Sequence, residues 1–117
     1  MSGANHPDLI EKPWGHELIW ARTDKYVGKI LHINTGHRLS KQYHVVKDET
    51  IMLLEGQMVL EIETNGVPKG ILMKKWDRYH ITPGTIHRMI AITDVDVMEV
   101  STTELEDVIR LEDDYGR

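Results

Sequence analysis

The sequence predicts an all-β protein, a single closed antiparallel barrel or sandwich, from three observations. Segments rich in Ile, Val, Leu and Met, several of them alternating with polar residues, recur at 26–33, 50–54, 57–64, 86–92 and 95–100, the two-residue period of half-buried strands. Turn signals separate them: Asn65-Gly66 is a strong hairpin dipeptide, and Glu55-Gly56 and Pro83-Gly84 mark further reversals. The chain has 117 residues, enough for one domain with its own core. A barrel also manages the exposed edges that short strands would otherwise leave.

Taken in chain order, residues 1–10 are expected to be a flexible tail and 11–117 the folded domain. In the strand at 26–33, Lys29 shares parity with Leu31 and Ile33. Gln42 and His44, read as strand, are two apart and project from the same face. The β-branched Val45-Val46 followed by the polar Lys47-Asp48 suggests a turn that swings Glu49 back toward that face. Residues 57–64 form a hairpin through Asn65-Gly66 with a strand around 70–74, and the Pro83-Gly84 turn delivers His87 onto the strand that follows. Only 103–111 is compatible with a helix, Thr103 and Glu106 fitting a capping box, so a short C-terminal helix or turn is expected.

Composition narrows the classes of function. Cysteine is absent, so there is neither a disulfide framework nor a thiolate metal site. The 40% hydrophobic and 28% charged fractions are those of a soluble globular protein. No apolar run approaches the roughly 18 residues of a membrane span, and the first residues carry no apolar stretch of signal-peptide type, so a cytoplasmic location without a membrane partner is expected. A formal net charge of −5 argues against nucleic acid as the main partner.

Gln42, His44, Glu49 and His87 are together a candidate metal-ligand set. A strand pair, a turn carboxylate and a later histidine supply imidazole and oxygen donors that suit zinc, nickel, cobalt, copper or iron, and the oxygens also suit manganese or magnesium. Zinc is the first expectation, with manganese, cobalt, nickel or iron as alternatives. Gln42 has the weakest donor, a neutral amide oxygen, and its alternative role is a hydrogen bond to substrate or to water. His16, His32, His37 and His80 fall outside the spacing and are expected at structural or surface positions.

The intervals around Gly36, Gln42, His44, Glu49 and Gly56, and around Gly84 and His87, resemble the two signature motifs of the cupin superfamily. The resemblance implies a double-stranded β-helix, or jelly-roll barrel, holding one metal ion with residues from both motifs. Gln42 stands where most cupins have histidine; in the second motif the leading glycine is Trp76, the usual proline is Thr82 and the trailing asparagine is Ala91. Glu11-Lys12-Pro13-Trp14-Gly15, Leu39-Ser40-Lys41-Gln42, Gly84-Thr85-Ile86-His87-Arg88, Met98-Glu99-Val100 and the tail from Asp107 to Arg117 are similar, more narrowly, to type II mannose-6-phosphate isomerase. That domain often follows a sugar-phosphate guanylyltransferase domain, for which 117 residues leave no room, so the isomerase domain alone is expected.

The resemblance implies a metal-dependent aldose–ketose isomerase acting on a sugar phosphate through an enediol, a role in carbohydrate metabolism and a possible homodimer. Lys29 aligns with a family lysine and is a candidate for contact with a substrate oxygen or phosphate, its alternative being a solvated surface position. Arg88 is a second candidate to orient the substrate anion, its alternative being a structural ion pair. Lys47 replaces a family arginine and loses the bidentate fork that suits phosphate. Where the family carries further histidines and a tryptophan, this chain has Val45, Val46, Thr50 and Ile51. These departures favour the rival expectation, a non-catalytic metal cupin that binds a sugar or sugar phosphate. A metal-dependent oxygenase on the same scaffold is a third class without specific support.

Overall fold

A computed structural model describes residues 4–117. Part of the stretch expected to be a tail, 1–3, lies outside the described residues, and the remainder enters the fold early, as strand β1 (Asp8–Lys12). Ten further strands follow: β2 (Gly15–Arg22), β3 (Val27–Ile33), β4 (Lys41–Tyr43), β5 (Glu49–Glu55), β6 (Met58–Thr64), β7 (Val67–Met73), β8 (Arg78–Ile81), β9 (Ile86–Ala91), β10 (Val95–Ser101) and β11 (Ile109–Glu112). They form two antiparallel sheets, ordered β1-β2-β3-β10-β5-β8 and β11-β4-β9-β6-β7. This is the expected all-β jelly-roll architecture.

Alternation along the strands decides what lies between the sheets. Val27, Lys29, Leu31 and Ile33 of β3, Glu49, Ile51 and Leu53 of β5, Met58, Leu60 and Ile62 of β6, His87, Met89 and Ala91 of β9, and Val95, Val97, Glu99 and Ser101 of β10 are all buried. Most of this interior is a continuous apolar core that also takes in Trp14, Met73 and Ile81. The same inward register carries Lys29, Glu49, His87 and Glu99 into the barrel, so ionisable groups share the interior with the core. Asn65 and Gly66 both have positive φ, 52° and 78°, as the hairpin joining β6 and β7 requires.

The helix expected over 103–111 does not form. Residues 103–108 make turns, and Ile109–Glu112 instead add a strand to the second sheet, with Ile109 opposite Tyr43 and Arg110 opposite Gln42. Long-range pairing with β4 outweighs a weak local capping signal, because β4 would otherwise leave an edge unpaired. The tail beyond docks as well: Arg38 donates from Nε and Nη2 to Asp114 at 2.6 and 2.9 Å, and Tyr115 Oη lies 2.8 Å from His37 Nδ1.

Two turn positions explain residues of the motifs. Gly56 has φ of 86°, and a Cβ there would run into the carbonyl of Asp94, so glycine is required on both counts. Trp76, in the place of the second motif's leading glycine, has φ of 77°. The left-handed backbone has been kept without the residue that adopts it readily, and the side chain is exposed, with Lys75 over the ring in a 5.3 Å cation–π contact. The left-handed conformation costs an L-residue about 1–2 kcal/mol, and the extra freedom of glycine in the unfolded chain returns about half of that. Trp76→Gly should therefore leave stability unchanged or raise it by up to about 1 kcal/mol in urea unfolding; a clear loss would mean that the indole packs in a way its exposure hides.

Candidate metal centre

Three residues from three places in the chain converge on one oxygen. Glu49 opens β5 and points inward at 3% exposure, His44 follows β4 and His87 lies on β9. Glu49 Oε1 is 3.6 Å from His44 Nε2 and 3.4 Å from His87 Nε2, and the two rings face each other at 5.3 Å between centroids. Both Nε2 atoms are buried and have no hydrogen-bond partner. Each Nδ1 is instead directed to a backbone carbonyl, His44 to Asp107 at 2.6 Å and His87 to Thr85 at 2.9 Å. Those carbonyls accept only if Nδ1 carries the proton, which leaves the Nε2 lone pairs turned toward Glu49.

This arrangement fits a divalent ion. Donor atoms about 2.0–2.2 Å from a common tetrahedral centre stand roughly 3.4 Å apart, close to the two separations from Glu49. Two orphaned imidazole nitrogens beside a carboxylate are otherwise costly to bury. Gln42 sits directly across the β4–β9 ladder from His87 and lines the same cavity, but its Oε1 accepts a 2.6 Å hydrogen bond from Ser40 Oγ. The structure thus brings His44, Glu49 and His87 together and places Gln42 beside them, engaged with Ser40.

A second layer of charge surrounds the three. Lys47 Nζ lies 2.9 Å from Glu49 Oε2, an ion pair without hydrogen-bond alignment, and donates to Glu99 Oε2 at 3.1 Å. Burial pushes the Glu49 carboxyl up, but the two imidazoles and the Lys47 ammonium outweigh it and hold the group well below the ordinary glutamate range. Burial, reinforced by the negative charge of Glu49, raises Glu99 against the pull of Lys47 and Lys29. Burial would lower Lys47, yet Glu99 and Glu49 hold it above the usual lysine value. Burial would also lower His44, and the nearby Glu49 carboxylate, with the Asp107 carbonyl, more than reverses this. Lys29 lines the cavity and pairs with Glu17 at 3.3 Å.

The cavity that His44 and Glu49 line has a volume of about 770 Å³ and takes its walls from β1, β2, β3 and β10 of one sheet, from β4, β9 and β11 of the other, and from the turns at 103–108. Arg88 does not line it. Adjacent to His87 on a regular strand, it turns to the opposite face, donating to the carbonyls of Leu39 at 2.9 Å and Glu112 at 3.1 Å. The expectation that Arg88 orients a substrate anion gives way to a structural position under the C-terminal segment. Val45 and Val46 are 59% and 60% exposed and do not line the cavity, so the histidines missing there leave the inner wall unchanged. Ile51 lies in the apolar core. His32 pairs with Asp96, His80 with Asp48 and His37 with Tyr115, while His16 stacks on His32.

Glu17, Glu99 and Asp107 carry no metal-ligand spacing, and sequence reasoning gave them no role. For Glu99 the only signal was the Met98-Glu99-Val100 resemblance together with its inward parity. Asp107 shows its role only through contact: its carboxylate accepts the amide protons of Val45, Val46 and Lys47 at 3.0, 2.7 and 2.8 Å. Its own carbonyl receives His44, so one residue fixes both the loop and the ring.

A family model described as mannose-6-phosphate isomerase C-terminal matches residues 3–113. None of the curated proteins compared matches the chain in sequence. Among solved structures, the capsular polysaccharide assembling protein CapF of Staphylococcus aureus superposes with a TM-score of 0.82 at 15% identity, over 94% of this chain and 33% of CapF. KdgF from Halomonas sp. gives 0.75 at 17% identity, over 85% of this chain and 90% of that one. A sugar phosphate isomerase of the cupin superfamily from Silicibacter pomeroyi gives 0.66 at 19% identity, over 74% of this chain and 58% of that one. The chain thus spans about a third of CapF, and the similarity at these identities is one of fold, the cupin fold.

Two predictions follow from the geometry. His44→Ala and His87→Ala should each weaken zinc binding by more than the roughly 10–100-fold expected for loss of an outer partner. At free zinc about a hundredfold above the dissociation constant, binding adds about 2.7 kcal/mol of stability; the variants should lose that increment and differ less from the parent in chelator. Equal losses with and without chelator would assign these histidines to packing alone. Asp107→Ala should lower the melting temperature in a pH-dependent way. The amides of Lys47, Val45 and Val46 hold its carboxyl down at about 2, so its contribution is complete above the ordinary aspartate value and is lost as pH falls from there toward 2. The gap between parent and variant should be constant above about pH 5 and close on acidification; a gap that widens in acid would contradict the clamp.

Proposed function

We propose that this chain, which belongs to the mannose-6-phosphate isomerase C-terminal family, is a metal-dependent aldose–ketose isomerase acting on a sugar phosphate. The observation that carries the proposal is the pair of buried, unpartnered Nε2 atoms of His44 and His87 on either side of Glu49, at one end of a cavity large enough for a hexose phosphate. His44, Glu49 and His87 would hold the ion, with Gln42 at their edge. Bound there, a divalent ion supplies Lewis-acid polarisation of the substrate's carbonyl and hydroxyl oxygens.

The remaining chemistry belongs to the protein's own groups. Interconversion of an aldose and a ketose moves a proton between C1 and C2 and shifts the carbonyl, through an enediol. Glu49 is committed to the centre and to Lys47, which makes it a poor base. Of the other carboxyls among the described residues lining the cavity, Glu17, Glu99, Glu104, Glu106 and Asp107, only Glu99 is buried. Of these Glu99, raised by burial, holds and releases a proton nearer neutrality and is the best candidate to carry it. Lys29, already oriented by Glu17, offers its ammonium to a substrate oxygen, where negative charge develops as the enediol forms.

The metal-loaded chain should interconvert mannose 6-phosphate and fructose 6-phosphate, or a related pair, and chelation should abolish the activity reversibly. Lys29→Ala should lower kcat/KM at least about tenfold, whereas Lys25→Ala, in the exposed turn between β2 and β3, should leave it unchanged. Binding of a sugar phosphate without any deuterium from solvent appearing at C1 or C2 would replace the enzyme reading with that of a binding module.

A further inference from the structure

The cations around the cavity are unequally committed. Lys12 and Lys29 lie on Glu17, Lys47 on Glu49 and Glu99, and Arg117 on Asp113. Among the described residues lining the cavity, only the guanidiniums of Arg22 and Arg110 have neither an acidic partner nor a hydrogen bond. An arginine left unpaired at the wall of an otherwise charge-matched cavity is positioned for an anion brought by a ligand.

Register separates the two. Arg110 of β11 lies directly opposite Gln42 of β4, and Gln42 directly opposite His87 of β9. Directly opposed residues of antiparallel strands share a face, so Arg110, Gln42 and His87 form one row across the sheet, ending at the metal-ligand candidates. Two strand spacings, about 10 Å between backbones, are of the order of the length of a six-carbon sugar phosphate. A substrate whose C1 and C2 lie at His44, Glu49 and His87 and whose chain runs along this row brings its phosphate under Arg110. Arg22, at the end of β2 in the other sheet, shares a row with Glu49 through Val27 and Ser101, but three strand spacings away, about 14 Å, which is longer than a six-carbon sugar phosphate reaches.

We infer that Arg110 binds the phosphate group of the substrate, at the far end of the row from His87. The inference rests on the reading of this cavity as a sugar phosphate site and adds the residue that tells the phosphate ester from the free sugar. Arg110 lies on the exposed edge strand β11, so its side chain is reachable and its replacement removes no core contact. Planar, paired N–H donors match a phosphate monoester better than the ammonium of Lys47, which is in any case held by two carboxylates.

The test is calorimetric titration of the zinc-loaded full chain, as parent, R110Q, R110K and R22Q, with mannose 6-phosphate, fructose 6-phosphate and the corresponding free sugars. The parent should favour the phosphate esters. R110Q should lose about ten- to hundredfold of its affinity for them, with zinc content, melting temperature and affinity for the free sugars as in the parent, and R110K should recover part of the loss. If the parent favours the esters and R110Q binds them as tightly as the parent does, the inference is overturned while the sugar phosphate reading stands, and a loss in R22Q would move the role to Arg22. If the parent binds ester and free sugar alike, the inference and the substrate reading fall together.

Discussion

Burying the carboxylate of Glu49 is the constraint from which the rest of this end of the barrel follows. A charge taken out of water is costly unless opposite charges and hydrogen bonds surround it. Here two imidazoles approach one oxygen and Lys47 the other. Lys47, buried in turn, needs a second carboxylate, which Glu99 supplies from β10. The resulting network joins β4, β5, β9 and β10 across both sheets, so charge matching tightens the same interface that the apolar core closes elsewhere. A divalent ion between the imidazoles would offer the unpartnered Nε2 atoms what no protein group among the described residues gives them.

The loop that carries His44 and Lys47 is held from outside by the C-terminal segment. Asp107 accepts three consecutive amide protons of this loop and, through its carbonyl, the Nδ1 proton of His44. Two residues later the chain enters β11 and extends the second sheet, which brings Arg110 into the row of Gln42 and His87. Arg88, facing away from the cavity, secures the following residues through the carbonyl of Glu112. The tail thus fixes the ligand orientation, closes a sheet edge and supplies part of the cavity wall.

The departures from the family pattern sort themselves by position. Val45 and Val46 replace histidines at exposed sites outside the cavity, and Ile51 lies within the apolar core. Trp76 replaces a glycine where the backbone still requires a left-handed residue, a local strain on the surface at a residue that does not line the cavity. At the centre itself His44, Glu49 and His87 are retained, while Lys47, in the place of a family arginine, keeps the positive charge beside Glu49.

Much of this was legible in the linear pattern. Two-residue alternation located β3, β5, β6, β9 and β10, the Asn65-Gly66 dipeptide located the hairpin, and the intervals between His44, Glu49 and His87 named three residues that do converge. Each rests on local chemistry: strand period, turn dihedrals and the reach of a short loop. What only the tertiary structure decided are the relations between segments distant in sequence. The pairing of β11 with β4 overrode a local helix signal at Thr103. The contact of Asp107 with the 45–47 amides, the sharing of Lys47 between Glu49 and Glu99, and the turning of Arg88 away from the cavity depend on which strands become neighbours. A sequence records the preferences of each segment separately, whereas the partners of a buried charge are set by the cost of leaving it alone once the sheets have closed.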